Sequence, residues 1–248
     1  MRVLFYSLSC LLLFSCASRK ISMSPNKTPQ LIAVEGLASD SLTDVFKGLT
    51  EFYRDSLGKQ MNELLFLNPR TMRRGTEMDS LYQKRMWNWI SDAILWYSKD
   101  SLRWNSDICL LNKGGFRRDI DSGRVLMRDI FELLPFENFL VEVELDADAF
   151  EEMKSYLKEN LQPQSGLRLG FLQDQLVSLK LANSDSLPQK TVKVVTINYL
   201  ADGGDYMAFF KDKPRKTSNI LIRDAMIAYL RAFPSHFPII DSRTYVIE

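Results

Sequence analysis

The stretch that decides the fold reads LNKGGFRRDIDSGRVLMRDIFELLPFEN and runs from Leu111 to Asn138. It continues an apolar run of strand type, Ile-Cys-Leu-Leu (108–111), into an Asn-Lys-Gly-Gly turn. Glycine tolerates backbone conformations that other residues resist, so such a turn can bring backbone close to a ligand. Arg117 and Arg118 follow the turn, and guanidinium groups can hold an anion through paired hydrogen bonds. The pattern therefore predicts a binding site for a ligand that carries an anionic group.

Three segments of the chain resemble motifs of the 5'-nucleotidase C-terminal domain, the substrate-recognition domain of secreted nucleotidases. NKGGFRRDI (112–120) is similar to NGGGIRxDI, and VLMRDIFELLPFEN (125–138) is similar to ITxxDLxxxLPFGN. Further on, TINYLADGGD (196–205) is similar to TNxFLAxGGDG. The resemblance covers roughly residues 31–233 and implies an α+β (mixed α/β) domain with a mixed sheet flanked by helices.

The resemblance also implies roles for individual residues. A nucleobase would stack between Phe136 and Tyr199, and every base presents a π-face to such rings. Asp205 would accept hydrogen bonds from the ribose hydroxyls, and Asn112 and Arg117 would face a phosphate. The full predicted substrate-binding set is Asn112, Gly114, Gly115, Arg117, Phe136, Asn138, Tyr199, Gly203, Gly204 and Asp205, with Asn88 and Arg118 as further candidates.

Simpler interpretations of these residues stay open. Phe136 taken alone would be assigned to the core, and turn statistics alone favour Asp205 as a residue that caps its own turn. Arg118 stands where the family has a small residue, which favours its interpretation as an unpaired surface arginine over a role in the site. Asp119 and Asp129 match motif aspartates that we expect to cap a turn and a helix.

The chain departs from the family pattern at several positions. WNWISDA (87–93) matches the family's GNLxxDA motif except that Trp87 replaces its glycine. Lys113 and Tyr206 also stand where small residues are usual. The family's other phosphate-binding arginine has no counterpart, because neither Arg74 nor Arg85 aligns with it. These departures favour an alternative function, an envelope structural or interaction lipoprotein that keeps the fold without binding a ligand.

Catalytic residues are not apparent in the sequence. Hydrolysis in the family is performed by an N-terminal metallophosphatase domain whose two metal ions need His, Asp and Asn ligands. This chain has one histidine, His236, and no DxH or GNHE-like segment. We therefore predict no catalytic residue, metal site or cofactor in this chain, and expect divalent metals only on a partner metallophosphatase chain.

The N-terminal segment predicts the compartment. Arg2 precedes a short apolar run of signal-peptide type, and LFSCAS (13–18) looks like a bacterial lipobox around Cys16. We predict a signal peptide over 1–15, a lipidated tether over 16–30 and one domain over 31–248, anchored in the bacterial cell envelope at the outer membrane or periplasmic face. An ordinary cleaved signal is the alternative. With Cys16 acylated, Cys109 would remain alone, so no intrachain disulfide is expected.

Composition bounds the remaining possibilities. A chain of 248 residues with 46% hydrophobic residues has material for one compact domain. Its net charge of +1 does not suggest a partner among nucleic-acid polymers.

Hydrophobic periodicity predicts the secondary-structure elements. Helices are expected at 40–57 with Gly58 as the cap, at 81–97, at 148–157 and at 220–233 after a Ser218 or Asn219 cap. Strands are expected at 140–145 with one solvent-facing side, at 166–170, 176–181 and 191–199, with an edge strand at 245–247. Residues 61–67 suit a strand or a continuing helix.

Overall fold

The computed structural model describes residues 39–75, 77–80, 82–182 and 191–247, and for residues 39–45 it describes the backbone alone. The predicted signal peptide, Cys16 and the tether lie outside the described residues. The chain divides into two units, Met1–Leu49 and Thr50–Glu248. The first helix belongs to both, and all other elements belong to the second unit.

Six helices and ten strands occur among the described residues. The helices are α1 (Ser39–Met61), α2 (Arg85–Asp100), α3 (Met127–Leu133), α4 (Ala147–Glu159), α5 (Asn198–Ala201) and α6 (Ile222–Ala232). The strands are β1 (Leu64–Asn68), β2 (Ile108–Leu110), β3 (Gly123–Leu126), β4 (Phe139–Leu145), β5 (Gln164–Ser165), β6 (Leu167–Leu172), β7 (Gln175–Leu181), β8 (Val192–Ile197), β9 (Arg215–Leu221) and β10 (Thr244–Val246).

The main sheet has five strands in the order β5-β2-β8-β4-β9. It is mixed, since β2 runs parallel to β8 whereas β4 pairs antiparallel with both β8 and β9. Strands β10, β6 and β7 form a second, mixed sheet, and β1 pairs antiparallel with β3. Helix α2 packs against α6 and against β2 and β5. The predicted mixed α/β class is confirmed.

Burial explains why the central strands are so apolar. In β8 the sequence VKVVTI is buried at every position except Lys193, because strands flank it on both sides and helices cover the sheet. The prediction that β4 has a solvent-facing side is wrong at Glu142, which is 1% exposed. Its carboxylate accepts hydrogen bonds from Ser106 Oγ at 2.6 Å and from Lys216 Nζ at 3.3 Å, so the buried charge is satisfied.

Several predicted boundaries need correction. Helix α1 continues past Gly58, and its end is held by Asn62, whose Nδ2 donates to the Gly58 carbonyl at 2.7 Å. The periodicity predicted this helix correctly but not its burial, since Phe52, Tyr53 and Leu57 are each more than half exposed. Residues 64–68 form a strand, which decides between the two alternatives for 61–67.

The ends of two other elements also differ from prediction. Ser218 lies inside strand β9, where its hydroxyl donates to the Leu140 carbonyl at 3.0 Å, so it does not cap α6. Strand β8 ends at Ile197, and Tyr199 lies on the short helix α5.

The predicted edge strand is confirmed as β10, which pairs in parallel with β6. No helix in the described part of the chain is both long and apolar enough to cross a bilayer.

Candidate functional site

The centre of the candidate site is the carboxylate of Asp205. Asn112 follows strand β2 and is buried, and its Nδ2 donates to Asp205 Oδ2 at 2.6 Å. Tyr199, on the helix that follows β8, donates its hydroxyl to Asp205 Oδ1 at 2.8 Å. Because β2 and β8 are parallel neighbours, their carboxyl ends bring the two motif segments to one edge of the sheet. The fold thus joins residues that are far apart in sequence.

The turn that carries Asp205 has an unusual backbone. Gly203 (φ 88°), Asp205 (φ 50°) and Tyr206 (φ 62°) all lie in the left-handed region, which costs energy for the two residues that are not glycine. The Tyr199 ring lies directly on Gly204, where a Cβ atom would stand 2.5 Å from the ring. Gly204 therefore allows the tyrosine to reach the carboxylate. Tyr206 is 93% exposed and does not close over the site.

Two residues that the sequence did not single out hold this turn in place. The Tyr156 hydroxyl donates to the Asp205 carbonyl at 3.0 Å. Gln162 donates from Nε2 to that same hydroxyl at 3.2 Å, and its Oε1 accepts from the Lys113 backbone N–H at 3.0 Å. A tyrosine and a glutamine thus bridge the two motif turns. They belong to no motif, so no sequence signal would have identified them.

The two tyrosines beside Asp205 both have raised pKa values. The hydrogen bond to Asp205 raises the pKa of Tyr199, because a phenolate would repel the carboxylate. Burial raises the pKa of Tyr156, and the charge of Asp205 adds to that rise. Each oxygen of the Asp205 carboxylate accepts one of the side-chain hydrogen bonds from Asn112 and Tyr199 and keeps a second lone pair for another donor.

Phe136 forms a second part of the site, after helix α3. Its ring is 46% exposed, as is the ring of Tyr199. The guanidinium carbon of Arg117 lies 5.7 Å from the Phe136 ring centroid, and Arg117 Nη1 is 3.5 Å from the Gly114 carbonyl. Phe136 also borders a cavity of about 10 Å³ together with Asn112, Gly115 and Asn138. That cavity is too small for a base, so a ligand would lie on the open ring faces.

The structure separates the two further candidates from this site. Arg118 is not an unpaired surface arginine, because Nη1 donates to Asp129 Oδ1 at 3.0 Å and to Glu132, and Nε donates to the Asp119 carbonyl. Asn88 is buried, and its Nδ2 donates to Gln83 Oε1 at 3.0 Å and to the Ile239 carbonyl at 3.1 Å. Both side chains are engaged in hydrogen bonds that hold the fold, and their contact with a ligand stays a prediction.

Of the two motif aspartates, Asp129 caps a helix as expected, whereas Asp119 bonds to a distant loop and not to the turn it was expected to cap. Asp129 accepts from the Leu126 N–H at the start of α3 at 2.7 Å. Asp119 accepts from the Arg74 N–H at 2.7 Å and so ties the turn to a loop 45 residues upstream. Within the described residues, no three His, Cys, Asp or Glu side chains cluster in a way that could hold a metal ion.

Comparison with known proteins identifies the family of this chain. The sequence pattern of the family described as 5'-nucleotidase, C-terminal domain, matches residues 68–212, which include every candidate site residue named above. Protein UshA of Yersinia enterocolitica is 28% identical over 110 residues, which are 42% of this chain and 20% of that protein. The chain thus matches only about a fifth of the length of this curated relative.

Two solved structures share the fold. The 5'-nucleotidase precursor of Thermus thermophilus superposes with a TM-score of 0.65 at 22% identity, over 82% of this chain and 43% of that one. NAD nucleotidase of Haemophilus influenzae superposes with a TM-score of 0.63 at 17% identity, over 82% of this chain and 41% of that one. At such identities the likeness is one of fold, and each of these proteins is more than twice as long as the shared region.

Proposed function

The chain belongs to the family of the 5'-nucleotidase C-terminal domain, and from this premise we propose that it binds a nucleotide or nucleoside as the recognition domain of a split, exported 5'-nucleotidase. The observation that carries the proposal is the convergence of Asn112, Tyr199 and Asp205 beside the half-exposed Phe136. A carboxylate fixed by two side chains next to exposed aromatic rings suits a ligand with a sugar diol and a flat base.

Each group has a defined task in this proposal. The base stacks between Phe136 and Tyr199, where stacking on one aromatic ring is worth about 1–3 kcal/mol. Asp205 accepts from the ribose hydroxyls with its remaining lone pairs. Arg117 is exposed and lies beside Phe136, from where its guanidinium turns to the phosphate. Asn112 holds Asp205 in place as well as bordering the ligand.

The catalyst is supplied by a separate metallophosphatase chain, which carries the divalent metals. The sequence motivates this division, because the three recognition segments are present while no metallophosphatase signature is found in the given sequence. Purified protein assayed with AMP and a divalent metal should therefore release no phosphate, and sustained hydrolysis by this chain alone would refute the split arrangement. The lipobox-like segment around Cys16 supports a location in the bacterial envelope, and fractionation of a Cys16→Ser chain tests the anchor.

Ligand binding is tested by isothermal titration calorimetry with adenosine and AMP. Phe136→Ala and Tyr199→Ala should each weaken binding by roughly tenfold or more, because each removes one stacking surface. Phe52→Ala is a matched control, since this ring is also exposed but lies on α1, outside the motif segments. Absence of heat from the wild-type protein at millimolar adenosine would contradict the proposal.

A second candidate function is that of an envelope interaction lipoprotein that keeps the fold without a ligand. The exposed Tyr206 and the side chains of Trp87 and Lys113, at positions where the family has small residues, favour it. This candidate predicts that neither adenosine nor AMP gives a heat of binding in calorimetry with the wild-type protein. Circular dichroism must show that the same protein is folded. Saturable binding that depends on Phe136 and Tyr199 excludes it.

A further inference from the structure

Helix α1 is exposed on every side along much of its length. All residues from 46 to 57 are exposed, and among them Phe52, Tyr53 and Leu57 expose 67%, 58% and 53% of their surface. A single helix in water is only marginally stable, because most of the stability of a helix comes from the packing of an apolar face. The exposed side chains of α1 therefore indicate a surface that something outside the described part of the chain covers.

These exposed apolar side chains share one side of the helix. The spacing of Phe52, Tyr53 and Leu57 places them within one side of a helix with 3.6 residues per turn, and we call them the apolar face of α1. Glu51 and Asp55 lie on the opposite side. The helix carries four acidic and three basic side chains, so its charges nearly balance. Helix α1 is therefore amphipathic without a strong net charge.

The domain holds the C-terminal end of α1 in place. Arg231 on α6 donates to the carboxylate of Glu63, two residues after the helix, from Nε at 3.0 Å and from Nη2 at 2.7 Å. Arg128 on α3 donates from Nη1 to Asn62 Oδ1 at 2.8 Å, and the Met127 N–H donates to the Glu63 carbonyl at 3.0 Å. The apolar face therefore belongs to a helix whose end is fixed to the domain.

The predicted lipid anchor would keep this helix near a bilayer. Residues 17–38 separate Cys16 from the first residue of α1. A chain of this length spans at most about 80 Å even when it is fully extended. A group tethered within such a distance acts at an effective concentration of roughly millimolar. Even a weak affinity of α1 for the bilayer surface is then sufficient for contact.

The apolar face has a composition that suits the boundary between lipid headgroups and acyl chains. A tyrosine such as Tyr53 is favourable there, because its ring is apolar and its hydroxyl end stays in water. Amphipathic helices in this boundary bury their apolar face by about 5–10 Å. Because the charges of α1 nearly balance, attraction to anionic lipids would add little. An acyl anchor and a helix, each weak alone, together give stable attachment.

We infer that α1 lies on the surface of the bilayer to which the chain is anchored, with Phe52, Tyr53 and Leu57 at the boundary of its acyl chains. This inference rests on the acylation of Cys16, which is part of the proposed function, and not on the binding of a nucleotide. The anchor supplies proximity and the helix supplies a second contact. Together they hold the recognition domain against the membrane.

The test uses the full chain, expressed with its own signal segment and reconstituted in phosphatidylcholine vesicles that contain a lipid-linked fluorescence quencher. Leu57→Cys and, as the matched control on the opposite side of α1, Asp55→Cys are each labelled with a fluorophore. Cys109 is buried and Cys16 would be acylated, so the introduced thiol takes the label. The label at position 57 should be quenched at least about twofold more than the label at position 55, because only the apolar face enters the bilayer.

Two double variants separate the apolar face from the rest of the helix. Phe52→Ser with Tyr53→Ser should abolish the excess quenching at position 57, because the helix loses most of its apolar face. Glu51→Ser with Arg54→Ser is the control, since it leaves the net charge and the apolar face intact and should preserve the excess quenching. Circular dichroism checks that both variants are folded. Addition of phosphatidylglycerol to the vesicles should leave the quenching unchanged.

Three results would overturn the inference. Equal quenching at positions 55 and 57, including none at either, would show that the apolar face does not enter the bilayer. Shielding of the label at position 57 that increases with protein concentration in the absence of vesicles would show that a second copy covers the face. Recovery of the wild-type protein in the soluble fraction of cells would remove the anchor on which the contact rests.

The outcomes also distinguish this inference from the proposed binding of a nucleotide. If the reconstituted protein shows the excess quenching but no heat of binding with adenosine, only the nucleotide site is refuted. If it binds adenosine but shows no excess quenching at position 57, only the membrane contact is refuted.

Discussion

At the scale of single residues, Asp205 shows how a strained position is maintained. Its φ of 50° is unfavourable for a residue other than glycine, at a cost on the order of 1–3 kcal/mol. Its side chain accepts from Asn112 and Tyr199, and its carbonyl accepts from Tyr156. These contacts outweigh the strain and fix the direction of the carboxylate before any ligand arrives. Preorganisation of this kind reduces the entropy cost of binding.

Lys84 gives a residue-scale prediction for stability. Lys84→Met should raise the free energy of unfolding at neutral pH by about 1–3 kcal/mol, because it removes a buried amine without a partner. The folded-state pKa of Lys84 is lowered, so the unfolded state binds more protons and wild-type stability rises as pH approaches the usual lysine pKa of 10.5. The advantage of the variant should therefore shrink between pH 7 and pH 10 in urea denaturation. If the free energy of unfolding of Lys84→Met exceeds that of the wild type by the same amount at pH 7 and pH 10, this account is contradicted.

At the scale of elements, the two glycine turns of the site have different requirements. The turn after β2 leaves ordinary space around Gly114, where a Cβ would meet its nearest atom at 3.7 Å. The turn after α5 has no such space at Gly204, because the Tyr199 ring and carbonyl lie within 2.6 Å of a Cβ position. One turn therefore tolerates a methyl group, and the other must shift the tyrosine to accept it.

The consequence is a matched pair of substitutions. Gly204→Ala should displace Tyr199 from Asp205 and weaken adenosine binding by roughly tenfold, because both the stacking surface and the fixed carboxylate are disturbed. Gly58→Ala, on helix α1 where an added Cβ meets nothing within 4 Å, is the control and should leave adenosine affinity within about a factor of two, a difference well under 1 kcal/mol. Calorimetry on both variants checks this. Equal effects of the two substitutions would show that Tyr199 is not positioned through Gly204.

Arg117 and Arg118 are adjacent in the sequence, but their side chains have different contacts. Arg117 is exposed beside the Phe136 ring, whereas Arg118 points to the acidic side chains of helix α3. The same dipeptide therefore supplies one group for a ligand and one for the fold.

At the scale of the whole molecule, the C-terminal segment ties distant elements together. Strand β10 extends the second sheet beside β6, and the Ile239 carbonyl accepts from Asn88 at the start of α2. Arg243 donates from Nη2 to Asp92 at 2.8 Å and to Asp241 at 2.7 Å, and from Nη1 to the Gln164 carbonyl at 3.0 Å. Its side chain is 13% exposed, so this network is largely shielded from water.

Arg243→Ala should lower the free energy of unfolding by about 1–3 kcal/mol, because it leaves Asp92 and Asp241 half-buried without their cation. Burial raises the pKa of Asp241, but the hydrogen bonds from Arg243 outweigh it and leave that pKa lowered. A lowered carboxyl pKa stabilises the fold above the usual value of 3.8 and ceases to do so as pH falls through the folded-state pKa.

The difference between wild type and Arg243→Ala should therefore be largest near neutral pH and decrease in acid, as measured by urea denaturation. Arg124→Ala, which removes an exposed arginine of β3, is the control and should change stability by less than about 0.5 kcal/mol. A pH-independent difference would mean that Arg243 acts through packing alone.

The sequence by itself determined the family, the mixed α/β class and the two motif segments, because turn glycines, strand runs and helix periodicity are local patterns of a few residues. It also predicted the helix-capping role of Asp129, which accepts a hydrogen bond from a residue only three positions away in the sequence. The tertiary structure decided what depends on residues far apart in the chain. Asn112 meets Asp205 across 93 positions and Asn88 meets Ile239 across 151. Hydrophobic periodicity states which face of an element is buried but not which distant group it will meet. The pairing of Arg118 and the bridge through Tyr156 and Gln162 are therefore decided only by the folded structure.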